Sequence, residues 1–159
     1  MTVVVPYDGS ELARAALVRA AEFGTVFDED VLAVTVIPRG NTEYASERDW
    51  IGPNESFDRD SIVSNLREEV DEVAPDGQFR GEFVDRYARS GTIANRVRQI
   101  ARENDASMLF IGSENAGHMV TSLSSVGSGI AADGEYNVVI VRHRGPTRID
   151  KLEAANPER

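Results

Sequence analysis

Five short apolar runs alternating with segments of helical periodicity predict an α/β fold, a doubly wound parallel sheet covered by helices on both faces. Two observations carry that expectation. The runs at 31–37 (VLAVTVI) and 138–141 (VVIV) are continuously apolar, as strands buried on both faces are, instead of alternating with polar residues. Between the runs, apolar residues recur at three- and four-residue intervals, the spacing of a helix face.

Taken in order, residues 2–6 (TVVVP) form a β-branched strand that stops at Pro6. Asp8-Gly9-Ser10 turns the chain, and Ser10 or Asp8 is placed to cap a helix over 11–23, with Leu12, Ala16, Leu17, Ala20 and Phe23 on one face. The second strand is 31–37. Residues 38–57 (PRGNTEYASERDWIGPNESF) are polar, lack a clear period and read as a long loop. Helical spacing returns over 58–73 through Ile62, Val63, Leu66, Val70 and Val73. Pro75-Asp76-Gly77 is a turn into a more polar third strand, 78–85 (QFRGEFVD). Ser90 is read as the cap of a helix over 92–104, followed by a fourth strand at 107–111 (SMLFI), a short helix over 125–133, and the fifth strand at 138–141. The arrangement gives one domain over residues 1–142 and a polar tail over 143–159.

Composition narrows the function. The 27 acidic residues against 17 basic ones give a net charge of −10, the wrong sign for neutralising nucleic-acid phosphates. Lys151 is the only lysine among those basic residues. An acidic, lysine-poor chain suits a cytosol rich in salt, and so a halophilic source; the plainer alternative is an ordinary acidic protein. No apolar run approaches the ~20 residues of a membrane span. The start, MTVVVPYDGS, lacks the pattern of a signal peptide, so a cytoplasmic protein is expected. With no cysteine and only His118 and His143, neither a thiolate nucleophile nor a Cys- or His-rich metal centre can be assembled.

Ligands of such sheets sit at the carboxyl ends of the strands, and two loops there carry suitable chemistry. In the first, VPYDGS, Asp8 can accept from ribose hydroxyls or from an adenine amino group; equally, it can do no more than cap the following helix. The second, residues 111–131 (IGSENAGHMVTSLSSVGSGIA), holds four glycines and five serines. Gly112, Gly117, Gly127 and Gly129 let backbone N–H groups converge, Ser113, Ser124, Ser125 and Ser128 supply hydroxyls, and the helix beyond offers its positive end to a phosphate. The bland alternative is a surface loop whose glycines serve as turns. Gly112 and Gly117 have the spacing of a P-loop, but His118-Met119 stands where Lys and Ser/Thr are required, which excludes that mechanism.

Together, VPYDGSELA (5–13) and Gly117 followed by nine residues and Gly127-Ser128 resemble the universal stress protein family, over about residues 2–142. The resemblance departs at Gly112 and Gly117, four residues apart where the family has two. It implies a Rossmann-like five-stranded sheet in the order 3-2-1-4-5 and a homodimer paired through strand 138–141. It further implies an ATP site, with Pro6 and Tyr7 flanking the base, adenine and ribose near Asp8 and Val36, and phosphates on Gly112, Gly117, Gly127 and Ser128. Gly129 stands where the family often has valine. Glu114 and Glu135 lie close to where a triphosphate would be, so Mg²⁺ or salt has to offset their charge.

Catalysis is not expected. His118 is the tempting base, yet an exposed loop histidine explains it as well, and His143 sits in an arginine-flanked edge. Three readings stay open: a stress or signalling protein that binds an adenine nucleotide and acts through partners, a weak ATPase, and a dimeric interaction module of the same fold without nucleotide. Tyr44, Trp50 and Phe57 are apolar residues in the long polar segment, suited either to a lid or to pinning that segment to the core.

Overall fold

The computed structural model describes residues 1–113 and 136–143. The chain runs β1 (Thr2–Pro6), α1 (Glu11–Phe27), β2 (Asp30–Pro38), α2 (Thr42–Glu47), α3 (Arg59–Val73), β3 (Gln78–Val84), α4 (Ser90–Glu103), β4 (Ala106–Gly112) and β5 (Asn137–Val141). All four strand pairings are parallel, in the order β3-β2-β1-β4-β5, so the expected α/β class and strand order are both found. The expected helix over 125–133 and the tail beyond residue 143 lie outside the described residues.

Two apolar layers flank the sheet. Val3, Val5, Ala33 and Ile37 face α1 and α3, packing with Leu17, Leu66 and Val70. The alternate residues Val4, Leu32, Val34 and Val36 face α4 through Ala94, Val97 and Ile100. That two-sided burial is why β2 has no polar alternation; Thr35, the one buried polar residue on it, donates its hydroxyl to the Tyr7 carbonyl at 2.5 Å.

At the β3 edge the two faces differ. Phe79 and Phe83 pack toward α3 beneath the guanidinium groups of Arg67 and Arg59. On the other face Arg80 pairs with Glu82 at 3.2 Å and Glu103 at 3.7 Å, and Glu82 pairs again with Arg96 of α4 at 3.5 Å. One face of this edge strand therefore carries a network of ion pairs, centred on Arg80 and Glu82.

Three local expectations are corrected. Residues 38–57 are not a structureless loop: they contain α2, a single short helix that Asn41 caps through its side-chain oxygen, 3.0 Å from the Tyr44 amide. Six residues are too few to display an apolar period, so the helix depends on this cap and on tertiary contacts. Ser90 is the first residue of α4 instead of its cap; the cap position is Arg89, which makes no side-chain capping bond. Helix α1 extends to Phe27 and ends on Asp28 in the left-handed conformation.

Candidate functional site

The site forms where β1 and β2 end. Proline closes β1, but the Tyr7 amide still bonds to the Val34 carbonyl at 2.8 Å, so the sheet holds the chain one residue further. Gly9 then takes a φ of +86°, a conformation that ordinary side chains resist, and aims the chain into α1. The Asp8 carboxylate accepts from the Ser10 amide at 2.9 Å, and Ser10 is the helix cap, receiving the Ala13 amide at 3.2 Å. Asp8 therefore shapes the turn without itself being the cap. Across from it, the Trp50 indole N–H donates to the Asp8 carbonyl at 2.8 Å, which pins the α2 segment over the end of β1. Trp50 and Phe57 also pack against the core, and the Tyr44 ring lies 5.7 Å from Trp50. Pinning is thus what these aromatic residues visibly do.

Two cavities adjoin at this turn. The smaller, about 140 Å³, is lined by Pro6, Tyr7 and Asp8 from the end of β1 and by Val34, Thr35 and Val36 from β2. Tyr44, Arg48 and Trp50 come from the α2 segment, and Ala88, Ser90, Ile93, Ala94 and Val97 from the start of α4 and the turn before it. The larger cleft, about 660 Å³, lies toward α1 and α3 and is acidic, with Asp8, Glu11, Glu47, Asp49 and Glu69 in its lining. Asp8, Arg48 and Trp50 belong to both.

Burial sets the protonation of the groups around the turn. It pushes the Tyr7 phenol far up, with the Glu69 carboxylate adding to the effect; the buried hydroxyl lies toward Glu69 without a hydrogen bond of normal geometry. Burial also raises Tyr44, against the opposing pull of Arg48, and raises Glu69 above the ordinary carboxylate value. Both tyrosines remain neutral across the physiological range, so neither is poised as a base.

Of the residues proposed from sequence, Pro6, Tyr7, Asp8 and Val36 come together around one cavity. Gly112 lines neither cavity; it ends β4 directly against α1, where a side chain would strike backbone, with a Cβ 2.7 Å from the Leu12 carbonyl carbon and 2.9 Å from the Ala13 nitrogen. Gly117, Gly127, Ser128, Gly129 and His118 lie outside the described residues. Sequence reading missed Arg48, whose guanidinium sits 3.3 Å from the centre of the Tyr44 ring, and missed the apolar wall from α4. Nothing local marks Arg48 out, because its place depends on the capped helix α2 and on the Trp50 anchor. Among the described residues no group of three or more His, Asp or Glu could hold a metal ion, and no helix is long and apolar enough to cross a membrane.

Fold and cavity together define a doubly wound α/β protein with a small, partly apolar pocket at the carboxyl end of its first two strands, where such sheets take ligands. The universal stress protein family model matches residues 1–142, and the chain belongs to that family. No curated protein sequence matches it. Among solved structures, a universal stress protein in complex with cAMP is 22% identical with a TM-score of 0.53, the match covering 89% of this chain and 97% of that one. A universal stress protein from Archaeoglobus fulgidus is 17% identical with a TM-score of 0.53, covering 89% of this chain and 44% of that one. Universal stress protein UspA from Lactobacillus plantarum is 14% identical with a TM-score of 0.50, covering 89% and 97%.

Proposed function

We propose that this universal stress protein binds an adenine nucleotide, ATP being the leading candidate, and acts through partner proteins rather than by turnover. The observation that carries the reading is the convergence of Pro6, Tyr7, Asp8 and Val36 on one cavity. Its volume, about 140 Å³, suits a planar base and not a whole nucleotide, since sites that enclose drug-sized ligands run from roughly 300 to 1,000 Å³. Its lining suits a base as well: valine and alanine side chains, the aromatic residues Tyr7, Tyr44 and Trp50, and Asp8, a carboxylate able to accept from ribose hydroxyls. A relative of the same fold has been solved with cAMP, which supports the same ligand class. The phosphates are assigned to the glycine- and serine-rich segment containing Gly117, Gly127 and Ser128. We further propose a homodimer paired through β5, whose terminal position in the sheet leaves an edge open to strand addition.

Denaturing protein purified in high salt and chromatographing the supernatant tests the ligand. Near-stoichiometric adenine nucleotide is the expected result, with the ratio of ATP to ADP reporting any slow hydrolysis. Empty protein that also gives no thermal shift with added Mg-ATP, ADP or AMP overturns the reading and favours the nucleotide-free dimeric module. Light-scattering mass at graded protein concentrations tests the dimer, which a single-chain mass throughout refutes.

A further inference from the structure

The small pocket has one feature that its apolar walls do not explain. Arg48 is the only cation among the described residues lining either cavity, and it lines both. The surrounding charge has the opposite sign, with five carboxylates in the larger cleft. A phosphate emerging from the base pocket toward that cleft meets one favourable group and several unfavourable ones.

Arg48 is also held in place. Its guanidinium carbon lies over the Tyr44 ring, 3.3 Å from the centroid, and one nitrogen donates to the Tyr44 carbonyl at 3.3 Å. The side chain is 30% exposed, so it is neither sealed in the core nor free in solvent. Its one ion pair among the described residues is long, 3.9 Å to Glu47, whose own side chain is 63% exposed. A pair of that kind is weak. Of the five N–H donors of a guanidinium, the contacts within the described residues occupy few, leaving the planar fork able to take a phosphate oxygen.

We propose that Arg48 is the specificity-determining residue of this site: it reads the phosphate nearest the ribose and so separates a nucleotide from its nucleoside. The inference rests on the adenine-nucleotide reading and deepens it. The chemistry is that of a guanidinium held over the Tyr44 ring beside the pocket assigned to the base. The carboxylates around it disfavour a polyphosphate lying in the larger cleft. Arg48 therefore contacts the first phosphate only, and further phosphates turn away from α3.

The test measures AMP and adenosine binding to stripped wild-type protein, Arg48→Met and Arg48→Lys by titration calorimetry. Methionine keeps a long side chain over Tyr44 without charge; lysine keeps the charge without the fork. A charge-assisted hydrogen bond predicts that wild type prefers AMP over adenosine by roughly tenfold or more. Arg48→Met erases that preference while adenosine affinity stays within about twofold, and Arg48→Lys restores part of it. Unchanged preference in Arg48→Met overturns the proposal, as does wild type binding both ligands equally. Equal loss of both ligands in Arg48→Met also overturns it, because the residue would then be bracing α2 rather than reading phosphate. If wild type binds neither ligand, the nucleotide reading itself has failed, a result distinguishable from all the others.

Discussion

Replacing Gly112 by alanine separates two roles that a glycine at the end of β4 can have. If it is glycine to let a phosphate approach the backbone, the added methyl costs affinity and leaves stability alone. The structure argues for the other role. The new Cβ would stand 2.7 Å from the Leu12 carbonyl carbon, 2.8 Å from its oxygen and 2.9 Å from the Ala13 nitrogen, all backbone atoms of the first turn of α1. None can rotate aside as a side-chain tip could, so β4 and α1 have to part. Overpacking of this kind costs about 1–3 kcal/mol, which outweighs the roughly 0.5–1 kcal/mol that alanine normally gains over glycine inside regular structure. The net cost is then up to about 2.5 kcal/mol, and at about 2–4 °C per kcal/mol for a chain of this size the melting temperature should fall by up to about 10 °C. Thermal and urea unfolding of Gly112→Ala, with Gly91→Ala as the control, measure the shift and the free energy behind it. Gly91 lies in α4 with nothing within 4 Å of its virtual Cβ, so that variant should gain stability. A Gly112→Ala protein as stable as wild type, or more so, refutes the close-contact argument; lost nucleotide affinity at unchanged stability restores the phosphate role.

Further outcomes follow from other contacts. Thr35→Val leaves the Tyr7 carbonyl without its 2.5 Å donor in a buried setting and should cost about 1–3 kcal/mol in urea melts. Ala94→Met pushes a side chain into the base pocket, and should abolish nucleotide-induced thermal shifts while α4 still folds by circular dichroism. Trp50 is the sole tryptophan and stands in the wall of both cavities, so its fluorescence should change on titration with nucleotide; Trp50→Phe, lacking the bond to the Asp8 carbonyl, should lose about 1 kcal/mol. Asp58 caps α3, and hydrogen bonds from the Ser61 hydroxyl and amide hold its carboxyl below the ordinary value of 3.8. A folded-state pKa below the unfolded one means that the ionised form stabilises the fold. That contribution is complete above the unfolded value and fades as pH drops through the lower folded one. The stability gap between wild type and Asp58→Ala should accordingly be constant near neutrality and close in strong acid.

What could be read from the chain depended on how local the cause was. The strand VLAVTVI announces β2 because both of its faces are buried, and Ser10 announces α1 because the cap bond spans three residues. Pro6, Tyr7, Asp8 and Val36 were placed together on a family resemblance, and the parallel register that sets Pro6 against Val34 explains why they meet. Helix α2 was invisible: TEYASE has no apolar face, and its position is fixed by Asn41, by the bond from Asn41 to the Arg86 carbonyl, and by Trp50 reaching across to Asp8. Arg48 inherits that opacity, since a residue on a helix that cannot be foreseen cannot be assigned to a pocket. The close approach of Gly112 to Leu12 was hidden for the same reason, joining residues a hundred positions apart that no local pattern links.

The charged flank of β3 has a bearing on assembly. With Arg80, Glu82, Arg96 and Glu103 cross-linked beside it, that side of the sheet presents ion pairs to any approaching copy, an arrangement that discourages strand addition. In the dimer proposed through β5, each copy has one receptive flank. Two such flanks joined about a twofold axis use each other up, and neither copy offers a second one from which a ribbon could grow. In the proposed dimer, growth into fibres would be opposed by the same guanidinium and carboxylate groups that tie β3 to α4.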